Sequence, residues 1–223
     1  MESPASPLPA RSCLTLHLRV VEFLVSIDKQ LFLFLNGKHN SFFDFIMFWS
    51  SNKFIWAPLY LFLLLRLIKV FGSKTVFLLL LIAAMITVSD QVSSTFVKAA
   101  VHRLRPCHNP ELAGQVHLVN GVCGGTFGYF SSHASNSWAL AVFLVLVFSR
   151  QQMSSRKDAA EIKRTIPYFS LALLFYALLI SYSRIYLGTH YPADVFTGIV
   201  FGSFLSFIFA NIFFKFQKNK VDA

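Results

Sequence analysis

The sequence predicts an all-α fold: a polytopic transmembrane helix bundle of five to six spans with an N-terminal amphipathic interfacial helix. Three observations predict it. Hydrophobic residues make up 55% of the 223 residues and charged residues only 13%, against about a quarter charged in soluble domains. Mean hydropathy is +0.58. Apolar stretches close to the roughly 20 residues that cross a bilayer recur along the chain. The same composition excludes intrinsic disorder, a collagen-like chain and a disulfide-dense secreted scaffold. Lys and Arg number 20 against 10 Asp and Glu. In so apolar a chain this excess reports topology, and no zinc-finger spacing, basic helix or RNA-binding signature points to nucleic acid.

In chain order, residues 1–13 are rich in Pro, Ser and Ala and read as a disordered N-terminus. Residues 14–53 read as the amphipathic, interfacial segment: Leu18, Val21, Val25, Leu31 and Leu35 recur at helical spacing, with Arg19, Glu22, Asp28 and Lys29 between them. No apolar core with a small-residue cleavage site marks a signal peptide, and a sixth span is the alternative for this segment. Residues 54–215 form the embedded domain. Its spans are 54–68, which contains Arg66 near an end from which it can snorkel; 75–97, whose only charge is Asp90; 134–149; 166–182; and 195–214. Residues 216–223 are a basic tail. Trp49, Trp56 and Trp138 read as interfacial anchors, Asp90 as facing a polar neighbour in the bundle, His102 and His108 as solvated loop residues, and 124–128 as a flexible turn.

Segments 66–74 and 150–164 and the tail after Phe214 hold eleven Lys and Arg residues, while the loops on the opposite face hold only Lys98, Arg103, Arg105 and Arg184. The positive-inside rule puts the first set in the cytoplasm and the second outside.

The poorer, outward face carries the chemistry. Lys98 and Arg105 lie at the end of one span, Ser131, Ser132 and His133 at the start of the next, and Arg184, His190 and Asp194 between the last two. Charges at membrane depth are costly and mark sites. Three converging cations repel one another unless an anion sits between them, and phosphate suits the Arg fork and the Lys point charge. Free backbone N–H groups at 131–133 add an anion site. A metal held by His133, His190 and Asp194 is the competing reading, disfavoured by the cations. The i,i+4 spacing of His190 and Asp194 lets the carboxylate fix one imidazole nitrogen and leave the other as nucleophile. His133 then protonates the departing oxygen.

These segments resemble the signature of the type-2 phosphatidic acid phosphatase family of membrane lipid phosphatases. Lys98, Arg105 and Pro106 match its first motif, Lys-x6-Arg-Pro; Ser183, Arg184, His190 and Asp194 match its third, Ser-Arg-x5-His-x3-Asp. In the second, Pro-Ser-Gly-His, Ser131 and His133 match, while Phe130 and Ser132 replace proline and glycine. The resemblance runs from about residue 90 to 198. It implies a metal-independent, cofactor-free hydrolase with His190 as nucleophile, Asp194 as its orienting partner and His133 as general acid. Lys98, Arg105, Arg184 and Ser131, with Ser132 beside it, would hold the phosphate, and Ser131 is expected to matter more than Ser132.

The expected activity is hydrolysis of a lipid phosphate monoester or pyrophosphate through a phosphohistidine. Undecaprenyl pyrophosphate and lipid A phosphate are the favoured substrates. The partners are that lipid and the bilayer, the expected location is the inner (cytoplasmic) membrane with the site facing the periplasm, and oligomeric state is left open. A lipid phosphotransferase using the same site and a non-catalytic phospholipid binder or transporter are the alternatives. Cys107 and Cys123 share the outward loop, in a space that favours disulfides, and are expected to be bridged, with Cys13 left as the odd thiol.

Overall fold

Helix ends in this chain are set by a few short polar and special residues. In the computed structural model, which describes residues 10–154 and 159–219, α1 covers Ala10–Asn36 and α2 Ser41–Ser50. The Asn40 side chain accepts from the Phe43 amide at 2.9 Å and so caps α2. Asn52 does the same for a single 3₁₀ turn, and α3 (Ala57–Phe71) follows with Pro58 in its first turn. Gly72 takes φ 54° and stops α3. Then come α4 (Thr75–Gln91), a π-helical segment (Val92–Val97) and the short α5 (Lys98–Val101). A long connection with three 3₁₀ turns leads to α6 (Ser132–Ser154), followed by α7 (Ala159–Tyr186) and α8 (Pro192–Asn219). No strand occurs among the described residues; Leu104 and Phe127 form an isolated antiparallel bridge.

Among the described residues, four stretches are long and apolar enough to cross a membrane: Lys53–Val101, Ser132–Gln152, Pro167–Tyr186 and Pro192–Lys218. The first contains both α3 and α4, which meet at Gly72. There the Thr75 hydroxyl donates back to the Leu67 carbonyl at 3.0 Å, and Lys53 and Lys98, at the far ends of the two helices, line one cavity. Leu61, Leu65, Leu80, Phe204 and Phe207 point outward, each more than half exposed. Such a surface is stable only against lipid, and the chain is a multi-pass membrane protein.

The core joins α3 and α4 (Leu63, Leu67, Phe71, Leu78, Met85) to α6, α7 and α8 (Phe143, Leu144, Phe148, Leu173, Ala177, Phe213). Phe71 lies edge-on to both Phe148 and Phe213. The closest pairing is α6 against α8. A Cβ added at Gly198 would stand 2.6 Å from the Ser131 carbonyl oxygen, and one at Gly202 would stand 2.2 Å from that of Ser135. Only glycine permits backbones this near, the small-xxx-small device of membrane helices. Ser206, one turn on, donates to the Ala139 carbonyl at 2.8 Å.

The N-terminal part differs from a single interfacial segment. It forms two helices, the first beginning at Ala10 inside the expected disordered stretch, whose residues 1–9 lie outside the described ones, as do 220–223 of the expected tail. Helix α1 also docks on the bundle. Buried Asn36 donates to the Tyr186 carbonyl at 2.8 Å and accepts from the His117 amide at 2.8 Å. Trp138 is no surface anchor, because its indole donates to the Ser181 hydroxyl between α6 and α7 at 3.0 Å. Hydropathy alone cannot distinguish a half-polar ring facing headgroups from one facing a neighbouring helix.

Candidate active site

Three helix ends and one loop converge at the level where α5 stops. His102, with φ 52°, ends α5 and turns the chain away from the bundle. The next residues are pinned by backbone bonds to 126–128: the Arg105 amide donates to Thr126 at 3.0 Å and the Gly128 amide to Arg103 at 2.9 Å. Gly128 packs closely on Arg105: a Cβ there would lie 3.1 Å from Arg105 Cγ. Cys107 and Cys123 are joined, with Cα atoms 6.1 Å apart, which ties the segment after Arg105 to the one before Gly124. The Ser131 amide donates to the Asp194 carbonyl at 3.0 Å, linking the starts of α6 and α8.

His190 sits in the turn between α7 and α8, 2% exposed. Its Nε2 lies 3.4 Å from Arg105 Nη1. Its Nδ1 faces Asp194 Oδ2 at 3.7 Å, longer than a hydrogen bond. Burial, followed by the charges of Arg184, Arg105 and Lys98, pushes the His190 imidazole well below its usual pKa, so the ring is neutral at neutral pH. Asp194 is fully buried. Its Oδ2 accepts from the Tyr191 amide at 2.9 Å and its Oδ1 from Arg103 Nη1 at 2.7 Å. Burial disfavours the Arg103 charge, but Asp194 and Asp28 outweigh that and hold its pKa above the ordinary arginine value.

Lys98, Arg105, Ser132, His133, Arg184 and His190 all line one cavity of about 650 Å³. Lys98 donates to Ser132 Oγ at 3.0 Å, and Ser132 Oγ lies 2.7 Å from Ser93 Oγ. Arg184 donates to the Ser51 hydroxyl at the end of α2. Burial lowers the Arg105 pKa. The Nε atoms of Arg105 and Arg184 and the Oδ1 of Asn136 are buried without a hydrogen-bond partner among the described residues. Such a set of donors and positive charge around one histidine can gather an oxyanion. Away from this end the cavity runs between α3, α4 and α6 and is walled by Leu63, Leu67, Ile82, Ile86, Leu140 and Leu144. It is polar and cationic at one end and hydrocarbon-like at the other.

The expected residues therefore come together, with one exception. Ser131 is fully buried away from the cavity, its hydroxyl accepting from the Ala134 amide at the start of α6; its neighbour Ser132 faces the cations instead. Four residues escaped sequence reasoning. Asn136 lines the cavity one helical turn after His133, and that i,i+3 spacing is a signal that could have found it. Arg103, Asp28 and Ser51 reach the site through tertiary contacts and leave no local pattern.

His133, His190 and Asp194 do not form a metal-ligand group among the described residues. The donor atoms of Cys107, His108 and Cys123 do lie within 4.8 Å of one another, but both sulfurs are already joined to each other.

The PAP2 superfamily model matches residues 74–218. A lipid A 4'-phosphatase of Bacteroides thetaiotaomicron is 39% identical over 193 residues, which span 85% of this chain and 78% of the relative. A lipid A 4'-phosphatase of Porphyromonas gingivalis is 28% identical over 183 residues, 82% of this chain and 71% of that one. Mouse dolichyldiphosphatase 1 is 33% identical over 119 residues, 52% of this chain and 45% of that one. Among solved structures, the PAP2-type phosphatidylglycerolphosphate phosphatase of Bacillus subtilis superposes with a TM-score of 0.62 at 17% identity, covering 86% of this chain and 87% of its own. Aquifex aeolicus LpxE does so with a TM-score of 0.55 at 24% identity, covering 82% and 93%.

Proposed function

The chain belongs to the PAP2 superfamily, and from that premise we propose that it is a membrane phosphatase that removes a phosphate group from lipid A or a closely similar phosphorylated glycolipid. One observation carries the reading: a continuous cavity whose cationic end surrounds His190 and whose other end is apolar and runs into the bundle. A lipid phosphate has the same division, an anionic head and hydrocarbon chains. The two lipid A 4'-phosphatases among its relatives support the choice of head.

In this reading Lys98, Arg105 and Arg184 hold the phosphoryl oxygens. Nε2 of neutral His190 attacks phosphorus; an N–P bond forms as the P–O bond to the lipid breaks. His133, across the cavity on α6, gives its proton to the departing lipid oxygen. Water, deprotonated by the same His133, then cleaves the N–P bond and releases inorganic phosphate. Asp194 steadies the positive charge that the His190 ring acquires. None of these steps needs a metal or cofactor. The active site faces the periplasm from the inner membrane, as the basic residues after Phe214 and around 150–164 argue.

Hydrolysis of a polyprenyl pyrophosphate is a second reading, favoured by the likeness to dolichyldiphosphatase and compatible with the apolar shaft. Phosphate release by the purified protein from lipid A, undecaprenyl pyrophosphate and phosphatidic acid, each with and without excess EDTA, separates the readings. We expect the highest kcat/KM with lipid A and no loss in EDTA. Transfer of the phosphoryl group to a second lipid without free phosphate would favour a phosphotransferase, and collapse in EDTA would restore the metal reading.

A further inference from the structure

Helix α1 lies outside residues 74–218 that match the family, yet a buried carboxylate on it reaches the active site. Asp28 is only 8% exposed. Its Oδ2 accepts from Arg103 Nη2 at 2.5 Å and its Oδ1 from the amide of Ala193, the residue before Asp194, at 2.9 Å. The other arm of Arg103 donates to Asp194 Oδ1 at 2.7 Å, and its guanidinium lies over the Tyr191 ring, 4.1 Å from the centroid. One planar fork thus joins two carboxylates from opposite ends of the sequence, next to the histidine turn. We infer that Asp28 and Arg103 are positioning residues for His190: α1 supplies the outer carboxylate of an Asp28–Arg103–Asp194 chain that sets the charge and orientation of the carboxylate facing the nucleophile. The inference rests on the phosphatase reading above.

Charge balance gives Asp28 its role. Arg103 bound to Asp194 alone would form a neutral pair, with nothing left over to balance a cationic imidazole. Asp28 on the other arm shares the guanidinium, and the three groups together carry a net charge of −1. When Nε2 of His190 bonds to phosphorus and the lipid oxygen leaves with a proton from His133, the ring becomes cationic among Lys98, Arg105 and Arg184. Asp194 Oδ2, at 3.7 Å from Nδ1, is the carboxylate oxygen that faces it. Its strength as an acceptor depends on how much of its charge Arg103 withdraws, and Asp28 limits that withdrawal. The Ala193 bond adds a mechanical component, because it fixes the first turn of α8 that carries Asp194.

Asp28→Asn keeps the shape and one acceptor while removing the charge. It is expected to lower kcat about tenfold or more while KM stays within about twofold, as for a group acting on the transition state alone. Arg103→Gln should lower kcat similarly. The double variant should be no slower than Arg103→Gln, because Asp28 then has no path to Asp194. Lys29→Met is the control for simple docking. Lys29 pairs with Glu111 beside the same contact, so its loss loosens α1 without touching Arg103, and activity should persist. Unchanged kcat in Asp28→Asn, additive losses in the double variant, or an equal loss in Lys29→Met would each overturn the inference. Orthovanadate binding, measured by calorimetry, gives a readout that needs no turnover: Asp28→Asn should weaken it about tenfold and Lys29→Met should not, and equal affinities overturn the chain of charges. Failure of wild-type protein to release phosphate from any lipid phosphate would instead remove the phosphatase reading, and the vanadate comparison would still decide this one.

Discussion

Burial and three neighbouring cations keep the His190 imidazole uncharged well below the pH, about 6.5, at which a free histidine protonates. As the proposed nucleophile it is active in the unprotonated form, so the acid limb of kcat/KM should lie below that pH. Arg184→Gln removes one of the charges opposing protonation. It should raise the His190 pKa and move the acid limb to higher pH, besides slowing the reaction, as a pH–rate profile would show; a limb that stays put would mean that His190 is not the titrating group. The same depressed pKa enters folding. The unfolded chain takes up a proton at His190 near neutrality and the folded chain does not, so this contribution to stability is complete above about pH 6.5 and is lost as the pH falls. His190→Ala should lower kcat about a thousandfold or more, since a missing nucleophile leaves only binding and electrostatics, while the cations still bind phosphate. A variant retaining a tenth of the rate would exclude the covalent route. Among the two serines, the position of Ser132 beside Lys98 reverses the order expected from the motif. Ser132→Ala should slow turnover or raise KM more than Ser131→Ala, whose effect should fall on helix capping and cost about 1 kcal/mol in unfolding measurements.

At the scale of elements, catalytic spacing is decided by how α6 meets α8, because His133 starts one and Asp194 the other. Gly202→Ala should be the more damaging of two small changes. Its methyl would lie 2.2 Å from a backbone oxygen that cannot rotate aside, whereas Gly198→Ala meets its nearest oxygen at 2.6 Å. Overpacking of this kind typically costs about 1–3 kcal/mol, readable as a lower Tm in detergent, with phosphate release falling in parallel. The outer helices differ in how plainly their sequences announce them. Helices α3, α4, α6, α7 and α8 follow from hydropathy, though α6, α7 and α8 each run several residues past their apolar cores, since polar end turns remain helical where they meet headgroups or neighbours. The break between α1 and α2 was legible in part: the helical spacing of apolar residues ends at Leu35, and the polar run 36–41 holds Gly37 and the Asn40 cap of α2. The π-helical segment before Lys98 has no sequence mark. It sits where Ser93 meets Ser132 across α4 and α6, and such irregularities are common beside functional sites.

For the whole molecule, the loop from Arg105 to Gly128 is held by the Cys107–Cys123 link. Mass tagging of thiols on denatured, unreduced protein should label Cys13 alone; three labelled cysteines would show that the link does not form in the membrane. Lys98, Arg105, His133, Arg184, His190 and Asp194 were legible because ionisable groups are rare in so apolar a chain and recur here at one depth. Arg103 was not, because its meaning depends on Asp28, 75 residues away, on a helix whose polar residues look like an ordinary wet face. Ser131 misled for a related reason: adjacent residues at a helix start point in different directions, and only the register of α6 says which one meets the ligand. The glycine contact between α6 and α8 has a consequence for the lipid surroundings. Bilayers of different thickness are accommodated by tilting helices, and peripheral α3 and α4 can tilt while the backbone-to-backbone seam cannot open. The separation of His133 from His190 is thereby insulated from membrane thickness, so that reconstitution into short-chain or long-chain lipids should change how readily substrate enters between the outer helices and leave the rate of the chemical step nearly constant.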